Sequence, residues 1–138
     1  MKLHIFARGR IGRSPEADLV ARYTARMRGT LTVTELSESA PWPAAPPASR
    51  TIALDERGQD LSSTALAQKL ATWRDSGTRE VRFLLGAADG HDEATRTSAD
   101  LLLAMGRATW PHMLARAMLA EQLYRASTIL EGHPYHRE

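Results

Sequence analysis

Hydrophobic and polar residues follow two periods along this chain, one typical of strands and one of helices. The apolar segment Lys2–Ala7 and the alternating segment Leu31–Leu36 each predict a short strand. Between them, Ser14-Pro15-Glu16 predicts a helix start, because serine caps, proline suits the first turn and an acid favours the positive helix end. We expect this helix to continue to about Arg28.

The middle of the chain predicts two more strands with a helix between them. Thr51–Leu54 and Val81–Leu85 are short apolar segments of the length of a buried strand. Ser62 or Ser63 is expected to cap the helix, and Gly77 is expected to end it. The apolar residues of this helix recur at i, i+4 and i+7, and they are Leu66, Leu70 and Trp73.

The last third predicts two further helices. Asp92 can cap a helix that we expect to continue through Met105. Gly106–Pro111 is expected to be a connector. The final helix then begins at Pro111 and His112 and runs to about Leu130.

The order of these elements predicts the architecture. Ala40–Ser49 holds four of the seven prolines, which neither a helix nor a central strand tolerates, so it is expected to be a stiff surface connector. Strands that alternate with helices predict an α/β fold, a three-layer sandwich with a mainly parallel sheet. A length of 138 residues fits a single domain spanning residues 1–138. Ligands of such sheets bind at the carboxyl ends of the strands, where the loops here carry glycines.

Composition excludes several kinds of chemistry. The chain has no cysteine, so it has no disulfide framework, no cysteine-ligated metal and no thiolate nucleophile. No apolar segment approaches the ~20 residues of a membrane-spanning helix. The first residues lack the apolar core of a secretory signal. We therefore expect a cytoplasmic protein without a membrane partner.

Positive charge is concentrated near the amino terminus. Residues 1–28 hold seven of the 18 basic residues but only two of the 16 acidic ones. Arg8, Arg10 and Arg13 lie in the glycine-containing segment after the first strand. These arginines are either simply solvated or contact RNA backbone phosphates, which arginine binds well.

The last helix and the tail concentrate groups that can do chemistry. Glu121 and Arg125 are four residues apart, so they share a helix face and can pair. The pair is either a solvated surface contact or a partly buried one that serves an anionic ligand. The histidines lack the spacing of a metal site, so no metal is predicted. The polar tail, either frayed or functional, includes His133, Tyr135, His136 and Arg137.

The chain resembles the RlmH family, which are SPOUT-superfamily methyltransferases of large-subunit ribosomal RNA. The order of its three loop motifs also matches that family. The residues that carry the resemblance are Pro111-His112, Arg116, Glu121-Gln122-Leu123-Tyr124-Arg125-Ala126, Tyr135-His136-Arg137-Glu138, Leu54-Asp55-x-x-Gly58, Gly86-x-x-x-Gly90 and Thr109-x-Pro111-His112.

The resemblance implies a fold, a cofactor and a substrate. The family has a deep trefoil knot near its carboxyl terminus and forms a homodimer with the active site across the interface. It uses S-adenosylmethionine to methylate N3 of a pseudouridine in helix 69 of 23S rRNA, within assembled ribosomes. By the matching motifs, the cofactor is expected to contact Leu54, Gly86, Met105, Gly106, Arg107, Ala108, Thr109 and Trp110.

The matching motifs also suggest catalytic roles. Arg125 is expected to stabilise a uracil anion or bind a substrate phosphate, and His136 is expected to be the base or to orient the substrate. Tyr135 is expected to stack on the base or hydrogen-bond to it. The missing cysteine agrees with attack by a ring nitrogen or by a ribose oxygen, neither of which needs a covalent enzyme intermediate. Residues expected to contact RNA are Arg8, Arg10, Arg13, His112 and Arg137.

Two other functions remain open from the sequence. Gly86-Ala87 stands where the family usually has two glycines, and Met105-Gly106 stands where it usually has Leu-Ser. These departures make a non-catalytic ribosome-binding protein with the same fold conceivable. A flavodoxin-like nucleotide-binding module is favoured by fold analogy alone.

Overall fold

Nine helices and strands follow one another in the computed structural model, which describes residues 1–137. Glu138, the last residue of the tail motif, lies outside the described residues. In chain order the elements are β1 (Lys2–Arg8), α1 (Pro15–Arg26), β2 (Leu31–Leu36), β3 (Ser49–Asp60), α2 (Ser63–Asp75), β4 (Glu80–Leu85), α3 (Glu93–Ser98), β5 (Leu101–Ala104) and α4 (His112–Glu131).

The strands form one parallel sheet in the order β2-β1-β4-β3-β5. Because parallel neighbours need long crossover connections, helices or long segments separate successive strands. The prediction of an α/β fold with a mainly parallel sheet is confirmed. All five strands therefore present their carboxyl ends at one edge of the sheet.

The two faces of the sheet are covered differently. On one face α2, α4 and the end of α1 bury the main core, in which Ile5, Phe83 and Leu119 are fully buried. On the other face Leu84 and its neighbours pack against Trp42 of the proline-rich connector. The third layer is therefore thin, being made by the connector and by the segment around α3.

Local signals in the sequence placed most helix ends correctly. The side chain of Ser14 accepts a hydrogen bond from the amide of Ala17 at 3.0 Å, which caps α1. Ser62, one of the two predicted caps, does the same for Ala65 at the start of α2. Each cap satisfies an amide that would otherwise lack a partner in the first turn.

The predicted helix from Asp92 through Met105 is wrong beyond its first turns. Asp92 does cap a helix, but α3 ends at Ser98 and the following residues form β5. A short apolar segment such as Leu101–Ala104 fits a strand as well as a helix by periodicity alone. Its pairing is fixed by Asp100, whose carboxylate accepts a hydrogen bond from the amide of Thr51 at 2.8 Å.

The third strand does not end at Leu54 as predicted, because β3 continues to Asp60. Leu54 and Gln59 both pair with Leu103, so residues 55–58 bulge out of the strand between them. Gly58 closes this bulge against β5. A side chain there would place its Cβ 2.5 Å from the carbonyl carbon of Leu102, so the close approach requires glycine.

A buried arginine ties α4 to the carboxyl ends of β1 and β2. The side chain of Arg116 is 2% exposed and binds the carboxylate of Glu35. It also donates to the carbonyl oxygens of Arg8 at 3.1 Å and Gly9 at 3.0 Å. The same carboxylate accepts from the amide of Ile11 at 2.8 Å. Arg116 thereby fixes the start of the loop between β1 and α1.

The proline-rich connector is also held by arginines. Arg8 donates to the carbonyl oxygen of Ala40 at 2.6 Å, and its guanidinium lies 3.9 Å from the centre of the Trp42 ring. Arg82, a buried residue of β4, donates to the carbonyl oxygen of Pro43 at 2.6 Å. The predicted stiff surface segment is thus confirmed and is anchored at several points. None of the helices in residues 1–137 is long and apolar enough to span a membrane.

We expect Arg116→Met to lower the free energy of unfolding by about 2–3 kcal/mol, because three hydrogen bonds of a buried cation are lost. Chemical denaturation at neutral pH measures this change. Arg50→Met is the matched control, since its ion pair with Asp100 is largely exposed and should contribute less than about 1 kcal/mol. Equal losses in the two variants would contradict the structural role given to Arg116.

Candidate functional site

A cleft of about 1120 Å³ lies where the bulge of β3 meets the carboxyl ends of β4 and β5. Three chain segments surround it: residues 54–57, 85–90 and 103–112. This is the edge at which parallel α/β sheets bind their ligands. The structure brings together all eight residues expected to contact the cofactor, namely Leu54, Gly86, Met105, Gly106, Arg107, Ala108, Thr109 and Trp110.

The loop after β4 is a tight turn built on glycine. Gly90 donates its amide to the carbonyl oxygen of Ala87 at 2.9 Å and has a φ of 80°. A Cβ on Gly86 would lie 2.9 Å from the carbonyl oxygen of Gly90, so this position has no room for a side chain. Ala87 keeps a negative φ, so the alanine that departs from the family pattern introduces no backbone strain.

The loop after β5 is closed by its own side chains. Trp110 donates its indole N–H to the carbonyl oxygen of Met105 at 2.8 Å, although its ring is 43% exposed. Gly106 has a φ of 83°, a conformation that favours glycine, and its amide donates to Asp60 at 3.2 Å. Thr109 donates to the carboxylate of Glu56 at 3.3 Å across the cleft. These contacts join the loop to the bulge of β3.

An ion pair forms part of the cleft wall. Arg96 of α3 donates its Nε to Asp55 at 2.7 Å, and the Asp55 side chain is only 5% exposed. Burial acts to raise the pKa of the Asp55 carboxyl, but the amide of Arg57 and the Arg96 guanidinium together hold it below its ordinary value. Asp55 therefore stays ionised at neutral pH.

His91 lies behind the same wall. Its Nε2 is 3.0 Å from the carbonyl oxygen of Leu84, and the ring is almost fully buried. Burial lowers the pKa of His91, so the ring is neutral at pH 7. His91 directly follows the glycine turn, and its side chain connects the end of that turn to β4.

A second polar cluster lies on α4 and is centred on Glu121. Its carboxylate accepts from Arg125 at 3.2 Å and 2.7 Å, a two-point contact that confirms the predicted pair. The hydroxyl of Tyr135 donates to the same carboxylate at 2.7 Å. Arg125 also lies 3.1 Å from Nδ1 of His136. Arg125 and Tyr135 therefore meet at Glu121, and His136 joins the cluster through Arg125.

The electrostatics of this cluster fix two protonation states. The hydrogen bonds to Glu121 raise the pKa of Arg125, which remains a cation. Burial and then the hydrogen bond to Glu121 raise the pKa of Tyr135, so its phenol keeps its proton. The Tyr135 ring also packs edge-on against Tyr124, with centroids 4.7 Å apart. These contacts dock the tail onto α4.

The two clusters are not brought together within one chain. His112 lines the cleft at the start of α4, whereas Arg125 lies 13 residues further along the same helix. At 1.5 Å per residue, this separation is about 20 Å. One copy of the chain therefore holds the expected cofactor residues and the expected catalytic residues at different places.

The residues expected to contact RNA differ in their surroundings. Arg10, Arg13 and Arg137 are exposed, and His112 is exposed at the cleft rim. The guanidinium of Arg8 instead binds backbone carbonyl oxygens at the start of the connector, as described above. Within residues 1–137 no group of three or more His, Asp or Glu side chains could hold a metal ion.

Three residues of these clusters were missed as site residues from the sequence. Asp55 stood in a quoted motif, but nothing in the motif alone predicts its burial. Arg96 and His91 lie in or beside a segment predicted as the start of one long helix, which hid their position at the cleft. One signal could have indicated Arg96. Asp92 caps a helix that follows β4 directly, so the first turn of that helix, which contains Arg96, lies near the carboxyl end of the strand.

Comparison with known proteins points to one family. A family model described as "Predicted SPOUT methyltransferase" matches residues 1–136. The chain is 64% identical to Ribosomal RNA large subunit methyltransferase H of Novosphingobium aromaticivorans, over 100% of this chain and 99% of that protein. The proteins of the same name from Rhizorhabdus wittichii and Brucella anthropi are 63% and 44% identical. The match covers 100% and 99% of this chain, respectively, and 99% of each relative.

We expect Asp55→Asn to make stability less sensitive to acid. Because the folded pKa of Asp55 lies below its unfolded value, its ion pair stabilises the fold at neutral pH and is lost as pH falls through and below the ordinary carboxyl range. Denaturation across this range should show a smaller loss of unfolding free energy in the variant. Asp75→Asn, which changes an exposed carboxylate, should keep the wild-type profile. A wild-type profile in Asp55→Asn would refute the expectation.

Proposed function

The chain belongs to the SPOUT methyltransferase family, and from this premise we propose that it methylates large-subunit ribosomal RNA with S-adenosylmethionine. The finer proposal is transfer to N3 of a pseudouridine in helix 69 of 23S rRNA in the assembled ribosome. The observation that carries the proposal is the cleft, which collects all eight expected cofactor residues at one sheet edge. Membership of this family also implies the carboxyl-terminal trefoil knot.

The residues present fit such a cofactor. The cleft volume is slightly above the ~300–1,000 Å³ range of small-molecule pockets, so the cleft has room for such a cofactor. Leu54, Leu103 and the Trp110 ring supply apolar surface for a base, while the loop around Gly86 leaves backbone exposed for close approach. Glu56, which is exposed at the cleft, adds negative charge that suits a cofactor with a positively charged sulfur. When bound, S-adenosylmethionine would supply a methyl group whose carbon a nitrogen nucleophile can attack, with S-adenosylhomocysteine as the leaving group.

The cluster on α4 supplies the remaining chemistry. The N3–H of a uracil ring must lose its proton before the nitrogen can attack, and His136 is proposed to accept it or to orient the substrate. Tyr135 is unsuited to that task, because Glu121 and burial keep its phenol protonated. Arg125 remains charged and is proposed to stabilise the uracil anion or to bind a substrate phosphate. Tyr135 is proposed to contact the target base.

A second copy of the chain would complete the site. The cleft and the α4 cluster are about 20 Å apart along one helix, which is too far for one substrate atom to reach both. We therefore propose a homodimer in which the tail of one copy faces the cleft of the other. This arrangement accounts for both clusters without any rearrangement of the sheet.

The rest of the surface supports an RNA substrate. Arg10 and Arg13 extend into solvent from the loop that Arg116 fixes, and Arg137 extends from the tail. We propose that these residues and His112 contact the ribosomal RNA, while the phosphate contact predicted for Arg8 would require it to leave Trp42. We further propose that residues 1–138 act as one domain in the cytoplasm.

We expect the purified protein to bind S-adenosylmethionine saturably, at one site per chain or per dimer, because one cleft collects all eight expected cofactor residues. Isothermal titration calorimetry measures this binding. Ribosomes isolated from cells without the modification should then gain one methyl group on a pseudouridine, detected by mass spectrometry of the RNA. No binding even with ribosomes present would contradict the proposal and favour a non-catalytic ribosome-binding protein.

We expect His136→Ala to keep cofactor affinity but to lower turnover about a hundredfold or more, since a positioned base contributes that much. Single-turnover methylation of ribosomes measures the rate, and calorimetry measures the affinity. His133→Ala is the matched control, because His133 is exposed and its ring, within residues 1–137, accepts one hydrogen bond, from the backbone amide of Tyr135 at 3.2 Å. Unchanged turnover in His136→Ala would remove His136 from the mechanism.

A further inference from the structure

The cleft contains one arginine that is held in place before any ligand arrives. Arg96 is 21% exposed, and its Nε is bound by the buried carboxylate of Asp55. Arg57 and Arg107 also line the cleft, but both are exposed and neither pairs with a carboxylate within residues 1–137. A preorganised guanidinium loses less freedom on binding than an exposed one.

Asp55 leaves most of the N–H donors of Arg96 without a hydrogen bond to it. A guanidinium has five N–H donors, and Asp55 takes only the one at Nε. Nη1 lies 3.7 Å from the carboxylate of Glu93, beyond hydrogen-bond distance, and Glu93 is itself largely exposed. Nη2 is 3.9 Å from where a Cβ on Gly90 would stand, so it borders the glycine turn after β4. The outer edge of the guanidinium thus lies between two of the three cleft loops.

This edge suits a carboxylate. Arginine binds carboxylates through two parallel N–H donors, and such contacts are shorter and stronger than neutral hydrogen bonds. S-adenosylmethionine carries one carboxylate, at its amino-acid end, while its adenosine end requires apolar surface and backbone contacts. The apolar surface and backbone for the adenosine end are already present at Leu54, at the Gly86 turn and in the loop at Trp110.

We propose that Arg96 binds the α-carboxylate of the cofactor, and that Asp55 positions Arg96 for this contact. The inference rests on the proposed function, because it names the part of the same cofactor that this side chain recognises. It assigns a binding role to α3, which contributes no residue to the expected cofactor set. It also explains why a carboxylate is buried at the cleft wall: Asp55 fixes the guanidinium rather than the ligand.

Two ligands separate this contact from all others. S-adenosylhomocysteine carries the carboxylate, and 5′-methylthioadenosine has the same adenosine thioether without the amino-acid end. We expect Arg96→Met to weaken S-adenosylhomocysteine binding about tenfold to a hundredfold, the range for hydrogen bonds between charged groups. Its affinity for 5′-methylthioadenosine should stay within about twofold of wild type. Isothermal titration calorimetry with each ligand measures both constants.

Control variants make each outcome decisive. Arg57→Met removes a charge from the same cleft and should leave both affinities near wild type. The double variant Asp55→Asn with Arg96→Met avoids an unpaired buried carboxylate, and it should show the same selective loss with an intact melting transition. Equal losses for both ligands, no loss for either, or a selective loss in Arg57→Met would overturn the proposal. Wild-type protein that binds neither ligand would overturn the proposed function and this inference together.

Discussion

The buried guanidinium of Arg116 is the contact on which the arrangement of both sites depends. It joins α4 to Glu35 on β2 and to the carbonyl oxygens that end β1. α4 carries the cleft rim at its first turn and the Glu121 cluster further along, so its placement sets both. Separating a buried arginine from its partners lowers the stability of the fold, because the buried charges and the carbonyl oxygens are left without partners. The position of α4 is therefore fixed by the buried contacts of Arg116 as well as by its apolar face.

Most of the fold was predictable because its signals are local. The caps at Ser14 and Ser62, the alternation of Leu31–Leu36 and the prolines after Ala40 each specify structure within a few residues. The predictions were wrong where contacts between residues distant in sequence determine the secondary structure. Leu101–Ala104 is a strand because β3 offers an edge to it, and β3 continues past its bulge because β5 pairs on both sides. Neither fact is present in the periodicity of either segment alone.

The cofactor cleft was likewise predictable from motifs, whereas its charged wall was not. The eight expected residues share the cleft because the carboxyl ends of parallel strands meet at one edge. The Asp55–Arg96 pair joins residues 41 positions apart, and the mistaken long helix concealed it. The Glu121–Arg125 pair was visible as an i, i+4 spacing, but the approach of Tyr135 depends on how the chain turns back after Gly132. Helix spacing therefore predicted the pair and tertiary packing completed the cluster.

The strand order has a consequence for how the molecule assembles. β5 joins the sheet beside β3 and not beside β4, which precedes it in the chain, so the pair closes a long loop. Such non-local parallel pairing is slow, because the entropy of closure is lost before the new contacts compensate for it. The cleft needs the bulge of β3 and the ends of β4 and β5 at once. A nascent chain that has not yet delivered β5 thus has a sheet and a partial core but no place for a ligand, and binding competence arrives only with the final edge strand.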